Sequence, residues 1–238
     1  MKKMNEKLDT LETNTWCPGC LNFTTLAVLK KLLGRLHAEE KIKLNSVVLV
    51  TDIGCGAKIY DYINVNTVYA LHGRVLPVAT GIKAARPELT VIGFSGDGGA
   101  YDEGMNHLIH SAKRNVGVTM VVANNGVFAL TKGQPTATNS KSSGGPIDAI
   151  RLANDAGATF ANRASALDLE FLERVLEKAL VHKGFSLVEI IQPCLIFKNN
   201  MEEIRKETER IRKTGISEGE KRITWEDEIR THIASRKN

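Results

Sequence analysis

Short apolar runs alternate along this chain with longer segments that carry an apolar stripe on one side. The runs at 46–51, 90–94, 118–123 and 185–191 are nearly continuous in Val, Ile, Leu, Phe and Met, the pattern of strands buried on both faces of a parallel sheet. Helical spacing predicts helices over 22–39 and near 76–86, 103–114 and 167–182. The third shows its stripe at Met105, Leu108, Ile109 and Ala112. This alternation predicts an α/β fold, a parallel sheet covered by helices on both faces. Residues 133–146 are rich in Gly, Ser, Thr and Pro and read as a loop that orders over a site. Residues 1–197 form the expected domain. Residues 198–238 read as a charged, helix-prone extension, either packed on a partner subunit or solvated, with the partner favoured.

Two strand ends carry a second pattern. Gly96-Asp97-Gly98 closes one run, and Asn124-Asn125 closes another 25 residues later. In a parallel sheet the carboxyl ends of the strands are where ligands bind. Mg²⁺ takes hard oxygen donors and shares its site with phosphate oxygens. Asp97, the side-chain oxygen of Asn125 and a nearby backbone carbonyl, that of Val127, are three such donors. Gly96, Gly98 and Gly99 let backbone approach phosphates, and the following helix start favours negative charge. A lone Gly-Asp-Gly marks any tight turn. With Asn-Asn at this spacing, between two strands, the pattern resembles the thiamine diphosphate (ThDP) motif of ThDP-dependent enzymes.

The cysteines are Cys17, Cys20, Cys55 and Cys194. Cys17 and Cys20 enclose Pro18-Gly19, a spacing open to three readings. A thioredoxin-like redox pair should follow a buried strand, whereas residues 1–15 are polar. Structural zinc suits four thiolates, but its usual second close pair is absent. An iron-sulfur cluster takes four thiolates from a knuckle and two distant loops. Taken singly, Cys55 and Cys194 are more often core residues than ligands. Both, however, follow predicted strands and so face the same sheet edge as Asp97 and Asn125.

The stretches Trp16-Cys17-Pro18-Gly19-Cys20, Asp52-Ile53-Gly54-Cys55-Gly56 and Leu71-His72-Gly73-Arg74-Val75-Leu76-Pro77-Val78-Ala79-Thr80-Gly81 come in a telling order. The ThDP motif follows, then Asn125-Gly126-Val127-Phe128-Ala129-Leu130-Thr131-Lys132-Gly133-Gln134 and Gln192-Pro193-Cys194. Together they resemble the β, ThDP-binding subunit of 2-oxoacid:ferredoxin oxidoreductases. The resemblance implies oxidative decarboxylation of a 2-oxoacid to acyl-coenzyme A and CO₂, with electrons passed to ferredoxin. It implies one 4Fe-4S cluster on Cys17, Cys20, Cys55 and Cys194, and Mg²⁺ on Asp97, Asn125 and the Val127 carbonyl. It places Ile53, Gly54, Cys55, Gly56, His72, Gly73, Arg74, Gly96, Gly98, Gly99, Ala129 and Leu130 around the cofactor. Lys58 and Lys132 match positions that contact substrate, where a lysine suits a carboxylate. The Glu that activates the aminopyrimidine belongs to a separate domain, so the resemblance implies a partner α subunit and an inactive lone chain. One departure stands out: many relatives of the broad-specificity type carry an acidic residue where this chain has Gly99.

Composition narrows the partners. A net charge of +5 with acids interspersed does not imply nucleic-acid binding, and an acidic ferredoxin is compatible with it. No run is long enough to span a membrane and no leader pattern is present. Cysteines used as ligands fit a reducing cytoplasm. Two alternatives remain open on the sequence: half of a non-oxidative ThDP decarboxylase, expected to hold ThDP without iron, and a non-catalytic iron-sulfur module, expected to hold iron without ThDP.

Overall fold

The computed structural model describes residues 8–139, 144–220 and 222–235. Helix α1 (Asn22–Ala38) precedes strands β1 (Val47–Thr51) and β2 (Asn66–Tyr69). Then come α2 (Val75–Ala85), β3 (Thr90–Gly96), α3 (Met105–Arg114) and β4 (Val118–Asn124). A small hairpin comes next, β5 (Val127–Phe128) and β6 (Gln134–Pro135), then α4 (Ala149–Asp155) and β7 (Phe160–Ser165). The chain ends with α5 (Leu169–Val181), β8 (Ser186–Ile191), α6 (Met201–Thr214) and α7 (Trp225–Ser235).

The six long strands form one parallel sheet in the order β2-β1-β3-β4-β8-β7. Their runs are apolar throughout because both faces are covered. On one face α1 and α5 pack Leu29, Leu32, Leu33, Phe171, Leu172 and Val175 against Leu49, Ile92, Val121 and Val188. On the other, α2, α3 and α4 pack Val75, Leu76, Leu108 and Ala153 against Val50, Val91, Met120 and Leu187. Each large apolar side chain so buried stabilises the fold by roughly 1.5–3 kcal/mol relative to exposure. Local signals set the helix ends. Asp168 caps α5 by accepting from the Phe171 N–H at 3.1 Å, and Asn115 ends α3 in the left-handed conformation at φ 52°.

The chain runs outward from β1 to β2, then crosses back to β3 on the other side of β1. That reversal opens a crevice at the carboxyl ends of the strands. Register aligns those ends, with Gly96 beside Ala123 and Asn124 beside Ile191.

The expected strands and helices are all present, and β2, β7, α4 and the β5–β6 hairpin go beyond them. Strand β2 is a short edge strand with every residue exposed, so it lacks the buried run that marks its neighbours. Strand β7 carries Asn162 and Arg163 in its middle, which breaks the apolar pattern. Helix α4 is only 7 residues long.

The segment after residue 198 makes contacts with its own chain. Asn162 exchanges hydrogen bonds with the backbone of Ser217 at 2.8 Å in both directions. The buried Glu226 carboxylate accepts from the Gly117 N–H at 3.1 and 3.2 Å. Arg222 donates to the Gly157 and Lys113 carbonyls at 2.7 and 2.9 Å. Gly117 and Gly157 precede β4 and β7, so these contacts lie at the end of the sheet opposite the crevice. No helix among the described residues is long and apolar enough to cross a membrane.

Candidate functional site

The crevice is a cleft with about 220 Å³ of free space, walled by the turns after β1, β3, β4 and β8. From the first turn come Ile53, Gly54, Cys55 and Gly56, and from the second Gly96, Asp97, Gly98 and Gly99. Asn125, Val127, Phe128, Ala129, Leu130 and Thr131 follow β4, His72 enters from the loop before α2, and Gln192 follows β8. Most residues expected around a cofactor therefore converge here. Gly73 and Arg74 do not line the cleft. The Gly73 N–H donates to Asp52 Oδ2 at 3.0 Å, and Arg74 donates to the Glu103 carbonyl at 3.2 Å. They fasten the loop that presents His72.

Asp97 is the buried carboxylate of the cleft, 2 % exposed. Its Oδ2 accepts from Thr136 Oγ1 at 2.5 Å, Thr138 Oγ1 at 3.1 Å and the Gly126 N–H at 3.2 Å. Its Oδ1 has only the Asn125 N–H at 3.4 Å, so one oxygen is pinned and the other is nearly free. Burial pushes the carboxyl up to about 6, against the pull of Thr136, Thr138 and the Asn125 N–H. A buried anion of this kind is completed by a cation. Asn125 lines the cleft, and its Oδ1 accepts from the Val127 N–H at 3.0 Å. Opposite Val127 stands Pro135, which has no N–H to give to the Val127 carbonyl. Three hard oxygens, one of them charged, suit Mg²⁺ with phosphate oxygens filling its remaining positions. Gly98 makes room for this cleft: a Cβ there would stand 2.3 Å from Phe128 Cε1.

The loop over 133–146 does close on the site where it is described; residues 140–143 lie outside the described residues. Thr136 is buried at 1 % exposure on Asp97, and the Ala137 N–H donates to the Asp102 carboxylate at 3.0 Å. Thr136 and Thr138 escaped the sequence reading, since only the β5–β6 hairpin folds them back onto Asp97. Lys198 escaped it too. Its N–H donates to the Cys194 carbonyl at 2.9 Å, and its ammonium packs against Gly126, 2.5 Å from where a Cβ would stand. Burial lowers its pKa, opposed by Glu203 and Asp97.

The four thiols gather at one side of the cleft, and all are free. The knuckle closes with the Cys20 N–H donating to the Cys17 carbonyl at 3.0 Å. Trp16 packs edge-on against Phe23 and Tyr62, and its indole N–H donates to the Cys55 carbonyl at 2.6 Å. Burial raises the Cys20 thiol above its ordinary value, the Asn22 N–H opposes this, and Cys17, Cys55 and Cys194 add to it. Burial likewise raises Cys55, with Cys194 and Cys17 adding to the effect and Lys58 opposing it. Gln192 joins knuckle to cleft, donating from Nε2 to Asn22 Oδ1 at 2.8 Å.

Neither expected substrate lysine lines the cleft. Lys58 faces Asp61 at 3.8 Å on the turn after Cys55. Lys132 is exposed beyond the cleft residues, in a left-handed conformation at φ 75°.

Residues 52–190 match a family model described as thiamine pyrophosphate enzyme, C-terminal TPP binding domain. The chain is 39% identical over 189 residues to a 2-oxoglutarate synthase subunit KorB of Archaeoglobus fulgidus, covering 75% of this chain and 69% of that one. It belongs to the β-subunit family of 2-oxoacid:ferredoxin oxidoreductases. A 2-oxoacid:ferredoxin oxidoreductase subunit beta of Saccharolobus solfataricus is 40% identical over 196 residues, or 77% of this chain. The match spans 63% of that relative's length. Among solved structures, a 2-oxoglutarate:ferredoxin oxidoreductase from Magnetococcus marinus superimposes with a TM-score of 0.85 at 24% identity. That superposition covers 98% of this chain and 90% of the other, so the two share a fold. A 4-hydroxybenzoylformate decarboxylase of Rhodococcus jostii shares the core at a TM-score of 0.53, covering 78% of this chain and 35% of that one. The Gly-Asp-Gly and Asn-Asn turns close the adjacent strands β3 and β4, as the spacing predicts.

Proposed function

We propose that this chain is the ThDP- and cluster-holding subunit of an enzyme that oxidatively decarboxylates a 2-oxoacid to acyl-coenzyme A and CO₂, reducing ferredoxin. The observation that carries the reading is the shared edge: a magnesium-type oxygen set and four mutually interacting thiols lie on two sides of one cleft. When bound, thiamine diphosphate supplies the nucleophilic carbon and the electron sink that 2-oxoacid decarboxylation needs. Asp97, Asn125 and the Val127 carbonyl hold Mg²⁺ on the diphosphate. Thr136 and Thr138 hold Oδ2 of Asp97, which leaves Oδ1 as the oxygen that would be offered to a metal. Gly96, Gly98 and Gly99 bring backbone up to the phosphates, and His72 faces them.

Cys17, Cys20, Cys55 and Cys194 hold a 4Fe-4S cluster. Four thiolates, two from a knuckle and two from distant turns, suit a 4Fe-4S core. Burial raises the Cys20 and Cys55 thiols, with neighbouring thiols adding to it, and a cationic core would offset that penalty by taking the sulfurs as thiolates.

The pyrimidine side of the cleft is supplied by a partner α subunit carrying the activating Glu. Ile53, Leu71 and Leu130, apolar yet exposed at the cleft and on its rim, suit coverage by that subunit. Lys58 and Lys132 reach the substrate from outside the cleft walls and pair with its carboxylate. The setting is a reducing cytoplasm.

The test is the iron, acid-labile sulfide and ThDP content of the anaerobically purified complex of this chain with its partner. Iron, sulfide and ThDP together, with 2-oxoacid-dependent ferredoxin reduction, support the reading. ThDP with zinc, or without metal on the cysteines, refutes electron transfer and favours a non-oxidative decarboxylase.

A further inference from the structure

We propose that Asp52 is a positioning residue for His72, holding Nδ1 of the imidazole so that Nε2 is presented to the phosphate end of the cleft. This rests on the ThDP reading above. Asp52 is fully buried directly after β1. Its Oδ2 accepts from the Gly73 N–H at 3.0 Å and Ser95 Oγ at 2.8 Å, while its Oδ1 has no partner among the described residues. His72 Nδ1 lies 3.7 Å from Asp52 Oδ2 and is likewise buried and without a partner among the described residues.

An unmet carboxylate oxygen and an unmet ring nitrogen are each costly alone. A shift of under about 1 Å brings Nδ1 within hydrogen-bond range of Asp52 Oδ2, and the carboxylate as a whole then serves the ring. The other charges that bear on the ring are engaged elsewhere. Asp102 is turned to the Ala137 N–H at 3.0 and 3.1 Å, and Arg74 is turned to the Glu103 carbonyl. Across the cleft the ring faces Phe128 at 6.3 Å between centroids. A histidine whose second nitrogen is tied to a carboxylate has its tautomer and ring orientation fixed.

The carboxylate fits because residue 99 is glycine. A Cβ on Gly99 would stand 2.2 Å from Asp52 Oδ2 and 2.5 Å from Ser95 Oγ. A side chain at 99 and the Asp52 carboxylate therefore exclude each other, and an acid carried at 99 enters the same space.

The test measures Mg²⁺-dependent ThDP binding by calorimetry on the complex with the partner subunit, as a double-mutant cycle. Asp52→Asn is expected to weaken binding roughly tenfold, the size of one charge-assisted hydrogen bond. In a His72→Asn background the same change is expected to do nothing further. Asp52→Gly with Gly99→Asp returns a carboxylate to the space and is expected to restore most of the affinity. It also carries the test should Asp52→Asn not fold. Equal losses in both backgrounds, no loss in the first, or no recovery in the relocated pair each overturn the proposal. A wild-type complex with a folded cleft that binds no ThDP refutes the proposed function itself, and this inference with it.

Discussion

Replacing Asp97 by Asn should abolish magnesium-dependent cofactor binding while making the cofactor-free protein more stable. Burial raises this carboxyl from 3.8 to about 6, because the fold holds an anion where water cannot reach it. At about 1.4 kcal/mol per tenfold, that displacement corresponds to roughly 3 kcal/mol of destabilisation at neutral pH. Part of this returns on substitution. An Asn can place its Oδ1 where Oδ2 accepts from Thr136, Thr138 and Gly126, leaving its amide against the more distant Asn125 N–H. That contact costs about 1 kcal/mol, so the net gain is about 2 kcal/mol, or roughly 4–8 °C in Tm for a chain of this size.

The pH dependence has a definite sign. Well below its ordinary value of 3.8, Asp97 is protonated in both folded and unfolded chains, so Asp97→Asn and the parent should melt with little difference from this group. As pH rises from 3.8 to about 6, the unfolded carboxyl ionises first and the parent loses relative stability. The gap opens across that window and stays constant above it. The assay is thermal unfolding of cofactor-stripped protein from pH 4 to 8, repeated with Mg²⁺ and ThDP. Ligand should raise the parent's Tm and leave the variant's unchanged. A variant less stable than its parent at pH 8, or a gap independent of pH, would refute the account of Asp97 as a strained ligand.

Other changes probe other parts of the same architecture. Gly98→Ala puts a methyl 2.3 Å from the Phe128 ring, so ThDP affinity should fall by about tenfold or more as the ring is driven into the cleft; calorimetry at unchanged far-ultraviolet dichroism reads this directly. Cys194→Ser should cut bound iron sharply while ThDP content stays near one per chain, both measured on anaerobic protein. Arg163→Met leaves the buried Glu189, which pairs with Arg163 and accepts from Asn124 at 3.2 Å, an anion without its cation. Denaturant titration should show a loss of about 3–5 kcal/mol, and a loss below about 1 kcal/mol would show that the pair contributes little.

Much of this was readable in the sequence, and the reason is geometric. In a parallel sheet the end of every buried run points to the same edge, so recognising four runs placed Cys55, Asp97, Asn125 and Cys194 together before any contact was known. The turns beyond the strand ends were less legible. Thr136 and Thr138 lie 39 and 41 positions from Asp97 in sequence, and their approach depends on a hairpin of two-residue strands too short to leave a pattern. Asp52 was visible only as part of a matched stretch. Nothing in its neighbourhood along the chain shows that its oxygens meet Gly73 and Ser95. Strand β7 hid behind Asn162 and Arg163, polar residues drawn inward by Ser217 and Glu189. The two lysines show what a linear pattern leaves open: the structure sets Lys58 beside Asp61 and Cys55 and leaves Lys132 exposed, both outside the cleft walls.

The hydrogen bond from Gln192 to Asn22 spans 170 positions and is buried at both ends. One wall thus serves two compartments, with Asn22 backing the Cys20 sulfur and Gln192 facing the cleft. For a lineage of such chains this restricts the order of loss. A descendant that discards its cysteines inherits a buried amide pair fitted to a knuckle it no longer uses, and drift at Asn22 strands Gln192 inside the remaining site. The two halves of the machinery are therefore inherited as a unit. Sequences lacking the cysteines should show changes at both of these positions together, and seldom at one alone.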